Sequence, residues 1–599
     1  MSTSDEREPP ADHVHGPRYL EWAARRAAAG QLSLAPSFRA GPRSSRASQQ
    51  QQRAAASPKV APASNEGKGL RVAVIGAGIG GVATAARLAN AGFKVDVYEK
   101  NDFSGGRLSI IEKGGFRFDQ GPSLYLMPKI FAETFADLGE NIDDHIQLIR
   151  CDPNYRLHFH DGDTLELSSD LAHLRKQLDR YEPGAYEQFF KFQRESHVHY
   201  ELSVAKVLRK NFVKFTDFFN LANAKMALSL NLHSSLYGRV ASYFKNDKLR
   251  KAFTFQAMYM GMSPYDAPAT YSLLQYTEFA EGIWYPKGGF HQVVDRLEAV
   301  AKSRGATFHY GKGVAKVNTS APGSNVVSGV TLEDGTVVDA DLVVCNADLV
   351  WAYKNLLPAT SYSKRLENKD QTSSSFSFYW GLKRKVPELD GHNVFLAEKY
   401  RESFDEIFVD HSLPSEPSFY IHVPSRLDPT AAPAGKDSIT VLVPTGCIRP
   451  EKRQDFPALL AKARADVLCI LEKRLGIPNF ADLIEVEVVN TPEIWTQKFN
   501  IYNGSILGLS HTVPQVCWFR PSTRHSDYAN LFFCGASAHP GTGVPIVLYG
   551  ARLVAHQIVE AVKSRTLRVV QRDWTWLTFM LAVFAVIAAI AAVVLQFVQ

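Results

Sequence analysis

The chain has 599 residues, 45% hydrophobic and 21% charged. That is globular usage with room for roughly two to four domains, and it excludes both wholesale disorder and a many-spanning membrane protein. The formal charge of +6 is uneven: residues 1–69 carry ten Lys/Arg against six Asp/Glu, and residues 563–573 carry four against one. The body between is close to neutral, so it lacks the basic face of a nucleic-acid binder.

The six cysteines, Cys151, Cys345, Cys447, Cys469, Cys517 and Cys534, are scattered and form no CxxC pair. Neither a disulfide framework nor a zinc site is indicated, and a reducing compartment follows. In chain order, residues 1–69 come first. Residues 36–69 are rich in Pro, Ser, Ala, Arg and Gln, and such a stretch cannot bury enough apolar surface to order itself. Arg18 to Ala29 could form one short basic helix. Asp5, Glu6, Glu8 and Asp12 speak against an organelle transit segment, so a disordered lead-in is expected.

Leu70-Arg-Val-Ala-Val-Ile75 then reads as a buried strand. It enters Gly76-Ala-Gly-Ile-Gly-Gly81, where Gly76, Gly78 and Gly81 match G-x-G-x-x-G and Gly80 lies within the loop. Val82 to Ala91 reads as a helix of small residues, and Lys94-Val-Asp-Val-Tyr98 as a second strand ending on Glu99. This is a dinucleotide cradle. Gly76 turns the chain, Gly78 admits a pyrophosphate, Gly81 lets helix and sheet approach, and Glu99 would accept from a ribose.

Ser104-Gly-Gly-Arg107 and Gly114-Gly-Phe-Arg-Phe-Asp-Gln-Gly-Pro-Ser123 follow. Here the sequence resembles the amine-oxidase-like flavoproteins. The resemblance implies FAD, with Gly106 and Arg107 at the pyrophosphate and Gly121, Pro122 and Ser123 lining the flavin. NAD would then be only a secondary electron acceptor, since a single G-x-G-x-x-G site is present.

Further along, Ile283-Trp-Tyr-Pro-Lys-Gly-Gly289 opens a predicted helix over Phe290 to Ser303. Thr307 to Val317 alternates as one strand, and the resemblance sets Val314 against the adenine. Asp341 to Asp348 reads as a buried strand ending in a polar turn. Asn530 to Gly535 is another strand, entering Ala536-Ser-Ala-His-Pro-Gly-Thr-Gly-Val-Pro-Ile546. Gly535, Ala536, Gly543 and Val544 are the expected flavin contacts in this block. A helix starting near Val544 would point its N–H groups at the flavin. Ala536 stands where the wider superfamily often has an acid, so that contact would fall to backbone or to Ser537.

That last block, together with Met258-Tyr-Met-Gly-Met262, Tyr271-Ser-Leu-Leu274, His392-Asn-Val-Phe395 and Trp518-Phe-Arg-Pro521, narrows the resemblance. Over roughly residues 70–562 the sequence looks like the bacterial and fungal phytoene desaturases, and the tail looks like the fungal branch. The expected fold class is α/β: a discontinuous Rossmann-like FAD-binding domain, an α+β substrate domain and a C-terminal single-pass transmembrane helix. FAD-binding parts are expected at 70–135, 283–365 and 491–562, and substrate parts at 136–282 and 366–490. A basic linker at 563–573 leads to a tail anchor at 574–598. Leu577 to Leu595 is apolar but for Thr578, and at 1.5 Å per residue it spans roughly a hydrocarbon core. Trp574 and Trp576 mark its entrance, and the basic flank keeps the body cytosolic.

The resemblance implies an uncharged C40 carotenoid drawn from the bilayer and desaturated stepwise from 15-cis-phytoene through zeta-carotene and neurosporene to lycopene, with 3,4-didehydrolycopene beyond. It places the body at the endoplasmic reticulum membrane. Homo-oligomerisation and association with phytoene synthase stay open. The proton lost beside a cation-like centre is acidic, so few acid/base residues are expected. Asp152, Arg156 and His539 are the candidates, and His539 is read first as shaping its Pro-flanked loop. The His158/His160 and His197/His199 pairs lack a third ligand, so no metal is expected. A carotenoid isomerase or saturase, and a prenyl-lipid escort protein without redox chemistry, share the scaffold and remain as alternatives.

Overall fold

Five short runs rich in Val, Leu and Phe build a parallel sheet in the order Leu531–Phe533, Leu342–Cys345, Arg71–Ile75, Lys94–Tyr98 and Thr307–His309. Val72 pairs with Leu342 on one side and Val95 on the other. Strands covered on both faces read as continuous apolar runs rather than alternating ones. The computed structural model describes residues 66–212, 215–321 and 323–567.

One face of the sheet carries the helix Ile79–Asn90, eleven of whose residues are buried. Its alanines and glycines let it lie close against the helices Gln292–Ser303 and Val544–Lys563. Arg87, near its end, pairs with Asp137 at 3.1 Å. The other face is covered by a three-stranded antiparallel sheet, Val314–Thr319, Val327–Leu332 and Val337–Asp339.

The single strand expected over Thr307 to Val317 is two strands in different sheets. Gly311 lies between them at φ 64°, a left-handed turn that Gly adopts without strain. The expected helix over Val82 to Ala91 begins earlier, at Ile79, and the one over Phe290 to Ser303 begins later, at Gln292.

A seven-stranded sheet forms the second layer, ordered Ile484–Asn490, Ser374–Leu382, Asp437–Thr445, Phe419–His422, His392–Phe395, Tyr155–His158 and Thr164–Leu167. Alternation sorts its side chains. Phe376, Phe378, Trp380, Ile439, Val441 and Val443 pack on one face under the helix Phe456–Leu475. Tyr420, Leu442 and Pro444 point to the other face, into a cavity.

The predicted transmembrane helix at 574–598 and the lead-in up to residue 65 lie outside the described residues. Among the described residues no helix is long and apolar enough to cross a membrane.

Candidate active site

The cavity, about 520 Å³, begins at the loop after the first strand. Gly76 turns there at φ 92° and Gly78 starts the helix in extended conformation. A Cβ on Gly81 would lie 2.1 Å from the Gly76 carbonyl oxygen, so the loop closes on its own helix only with glycine at that position. Gly81 therefore supports the cradle from behind, while Gly76, Gly78 and Gly80 line it.

Glu99 ends the second strand at the cavity edge. Its Oε2 accepts from the Ala77 N–H at 2.8 Å and its Oε1 from the backbone and side chain of Asn101. The carboxylate thus fixes the loop and retains acceptor capacity on Oε2 for a hydroxyl. Gly106 and Arg107 also line the cavity, and Arg107 donates to the Ile506 carbonyl. Burial lowers the pKa of its guanidinium. Gly121, Pro122, Ser123, Val314, Gly535, Ala536, Gly543 and Val544 complete the wall named from the sequence.

The N–H donors of the glycine loop and of the helix end at Val544, with the acceptor carboxylate of Glu99, are the set a dinucleotide requires. They converge on one cavity, so these residues fit FAD. Ser537 does not take part as expected. Its hydroxyl accepts from the Leu509 N–H at 3.1 Å and donates to Asp348 at 3.4 Å, and it is not among the lining residues. The acid missing at Ala536 has a counterpart in Asp348, which lines the cavity and caps the helix Leu349–Asn355. Its carboxyl pKa is raised by burial, a shift opposed by the capped N–H and by Arg107. Asn346 lines the cavity too, its amide 2.8 Å from where a Cβ on Gly78 would sit. Neither role was legible, because only the crossover of two distant strands brings these side chains to the loop.

Arg520 lies under the C-terminal turn. Its buried guanidinium donates to five carbonyls, those of Leu509, Ser510, Gln515, Ala536 and Ala538. No carboxylate neutralises it among those partners, and burial pushes it down to about 10. It fixes the turn that feeds the helix Val544–Lys563.

Beyond the loop the cavity becomes apolar, with Leu126, Met226, Leu230, Met258, Leu274 and Leu442 on its wall. Tyr420 and Ser123 give it a hydrogen-bonded edge: their hydroxyls lie 2.7 Å apart, and Tyr420 reaches His392 Nδ1 at 2.7 Å. Burial drives His392 down to about 3, so its imidazole is neutral, with its other nitrogen 3.3 Å from Cys151 Sγ.

The three acid/base candidates lie off the cavity. Arg156 is held by Glu166 at 3.0 Å and Asp390 at 2.8 Å on the seven-stranded sheet. Asp152 accepts from the Ser168 hydroxyl at 2.7 Å. His539 pairs its Nε2 with the Lys210 carbonyl at 2.7 Å and is depressed to about 4 by burial. It ties the C-terminal turn to the segment after the π-helix Val204–Leu208. None of the three is among the lining residues. Among the described residues no cluster of three or more His, Cys, Asp or Glu could hold a metal ion.

The chain matches the family described as flavin containing amine oxidoreductase over residues 79–559. It is 56% identical over 496 residues to a phytoene desaturase of Phycomyces blakesleeanus, covering 82% of this chain and 85% of that one. It is 49% identical to a phytoene desaturase of Fusarium fujikuroi, covering 82% and 89%. A zeta-carotene-forming phytoene desaturase of Myxococcus xanthus is 42% identical, covering 82% and 94%. Among solved structures, putrescine oxidase bound to putrescine superposes with a TM-score of 0.56 at 14% identity, covering 82% of this chain and 99% of that one. An oxidoreductase from Methanosarcina mazei superposes at 0.55 and 17% identity, covering 81% and 100%, and both likenesses speak to the fold alone. With its dinucleotide loop and second glycine-rich turn on one cavity, the chain belongs to the phytoene desaturases of the flavin-containing amine oxidoreductase family, FAD-dependent oxidoreductases acting on CH–CH groups.

Proposed function

We propose that the chain desaturates 15-cis-phytoene stepwise through zeta-carotene and neurosporene to lycopene, with 3,4-didehydrolycopene as a further product. One observation carries this reading: the cavity that begins at the dinucleotide loop continues, without a break, into an apolar chamber walled by Leu, Met and Tyr. A polyene has no charge and no hydrogen-bonding handle, so it is held by shape and apolar area. The relatives' names point to the same substrate class.

Bound FAD supplies the two-electron oxidation, taking one hydrogen with its electron pair. The protein's share is positioning. The sheet face bearing Tyr420, Leu442 and Pro444 and the segment bearing Met258 and Met260 confine the chain of the substrate, and water is excluded by the same apolar wall. The helix end at Gly543 to Val547 and the Arg520 turn beneath it hold positive potential beside Ala536.

Access from a membrane is part of the proposal. Phe218, Asn223 and Met226 line the cavity, while Phe219, Leu221 and Leu228 of the same segment are exposed apolar side chains. An apolar rim suits a lipid surface. The tail at 574–598 would hold that rim at the endoplasmic reticulum membrane. Self-association and docking with phytoene synthase belong to the same proposal, as does nicotinamide as a secondary electron acceptor.

The test is incubation of the full chain with FAD and phytoene in liposomes, followed by pigment analysis. Coloured polyenes of increasing chromophore length are expected, and the longest sets the number of steps. Isomerised or saturated carotenoid would move the reading to an isomerase or saturase. Protein without flavin absorbance would favour a lipid escort.

A further inference from the structure

We infer that Asn346 is a cofactor-binding residue: its amide N–H donates to the diphosphate of FAD and closes the glycine cradle from the side of the neighbouring strand. The inference rests on the FAD site and not on which carotenoid is desaturated. Asn346 is the first residue after the strand Leu342–Cys345. Cys345 pairs with Ile75, and the Asn346 backbone N–H then donates to the Ile75 carbonyl at 2.8 Å. That bond carries the pairing one residue past the strand, so Asn346 stands beside Gly76, where the loop leaves the sheet. Ligands of open α/β sheets sit in this crevice, beyond the carboxyl ends of the strands.

The side chain lies across the loop. Its Nδ2 is 2.8 Å from where a Cβ on Gly78 would sit and 3.8 Å from one on Gly76, while its Oδ1 is 2.4 Å from one on Gly80 and 3.5 Å from one on Gly535. The donor end thus faces Gly78, the N-cap of the helix Ile79–Asn90, and the acceptor end faces Gly80. Asn346 is half-buried and lines the cavity. Among the described residues no protein group bonds to its amide. The amide is also not among the sealed polar atoms, so its two N–H donors stay available to an occupant of the cavity. The charged groups nearby are engaged: Glu99 holds the loop, Asp348 caps a helix and Arg107 donates to Ile506.

Gly80 supplies a second observation. It falls outside the G-x-G-x-x-G positions and sits in the first turn of a helix, where Gly is less favourable than Ala. A Cβ there would strike Asn346 Oδ1 first, ahead of Cys534 Sγ and Val547 Cγ1, both at 2.9 Å. The missing side chain keeps room for the amide. A residue that only filled this space could be Leu, which has a similar branched shape and no polar atom to leave unpaired.

A diphosphate presents charged oxygens that only accept. The free N–H groups of the first helical turn approach them from the loop side. Asn346 Nδ2 adds a donor from the strand side. Because it is neutral, no cation has to be stripped of water, and a bond to a charged acceptor is stronger than one between neutral groups.

The test titrates FAD into the full chain purified free of flavin, with no carotenoid present. Asn346→Leu keeps the bulk and loses the donor, and it should weaken FAD by about 10-fold or more, as loss of a hydrogen bond to a charged group does. Asn346→Asp keeps the shape but sets a carboxylate against the diphosphate, and about 100-fold or more is expected. Neither variant breaks a bond within the protein, so the melting temperature of the flavin-free chain should hold. At saturating FAD, the phosphorus-31 spectrum of Asn346→Leu should show one of the two diphosphate resonances displaced from its wild-type position. Wild-type FAD affinity in Asn346→Asp overturns the inference. So does weakened binding with both phosphorus resonances unmoved, which would mean that the amide only shapes the loop. Desaturation enters neither measurement, so failure of this inference leaves the function reading standing, and failure of that reading leaves this one.

Discussion

Gly81 shows how little room the cradle leaves. A methyl carbon at this position would come within 2.1 Å of the Gly76 oxygen, so Gly81→Ala must open the loop or shift the helix. Purified Gly81→Ala is expected to lose flavin absorbance, whereas the wild type keeps it. Glu278 makes a second prediction, on stability. Its carboxyl titrates near 8 in the fold and near 4.3 in an unfolded chain. Between those values the native state holds the extra proton, so stability falls as pH rises through that window, by on the order of a few kcal/mol in total. Denaturation against pH should show that slope in wild type and a flatter one in Glu278→Gln. The loop glycines were legible because backbone geometry alone demands them. Glu278 was not, because nothing in the local sequence says that a glutamate in Tyr276-Thr-Glu-Phe279 will be stripped of water.

At the scale of elements, the alternation of one strand divides its labour. In Asp437–Thr445, Leu442 faces the cavity and Val443 faces the packed layer beneath. Leu442→Lys is expected to keep flavin and fold but to abolish pigment formation, since it sets a charge where an apolar chain must lie. Val443→Lys, one residue on, is expected to yield insoluble protein; solubility and flavin absorbance separate the two. Strands beside the loop could be read from their motif. The seven-stranded sheet could not: within residues 366–490 only His392-Asn-Val-Phe395 matched a family pattern, which says nothing of strand order, and Ser374–Leu382 is buried on both faces, so periodicity shows no preferred side. The run from Thr307 shows the converse failure. Its alternation is genuine on both sides of Gly311, and only the left-handed turn hands the two halves to different sheets.

At the scale of the whole molecule, every cavity-lining residue among the described residues lies between Ile75 and Val547. Removing residues 574–599 is therefore expected to leave flavin binding intact while moving the protein out of the membrane fraction. Flotation on a sucrose gradient, read by flavin absorbance, checks both halves of that statement. A tail-less protein that still floats would shift membrane attachment to the apolar rim near Phe219 and Leu221.

The parallel sheet also sets an order of events during synthesis. Its edge strand, Leu531–Phe533, and the turn and helix that close the cavity leave the ribosome late, while the strand they flank, Leu342–Cys345, and its neighbour Arg71–Ile75 are made far earlier. Until then the nascent chain carries an unpaired apolar edge and half a cofactor cradle. Such contacts between distant segments form slowly, and an open edge invites pairing with other chains. A message that stops short of codon 531 would thus produce no weakly active enzyme, only a colourless, aggregation-prone polypeptide. Vitamin supply would then matter at the moment of release, when a newly completed cradle first has somewhere to put the cofactor.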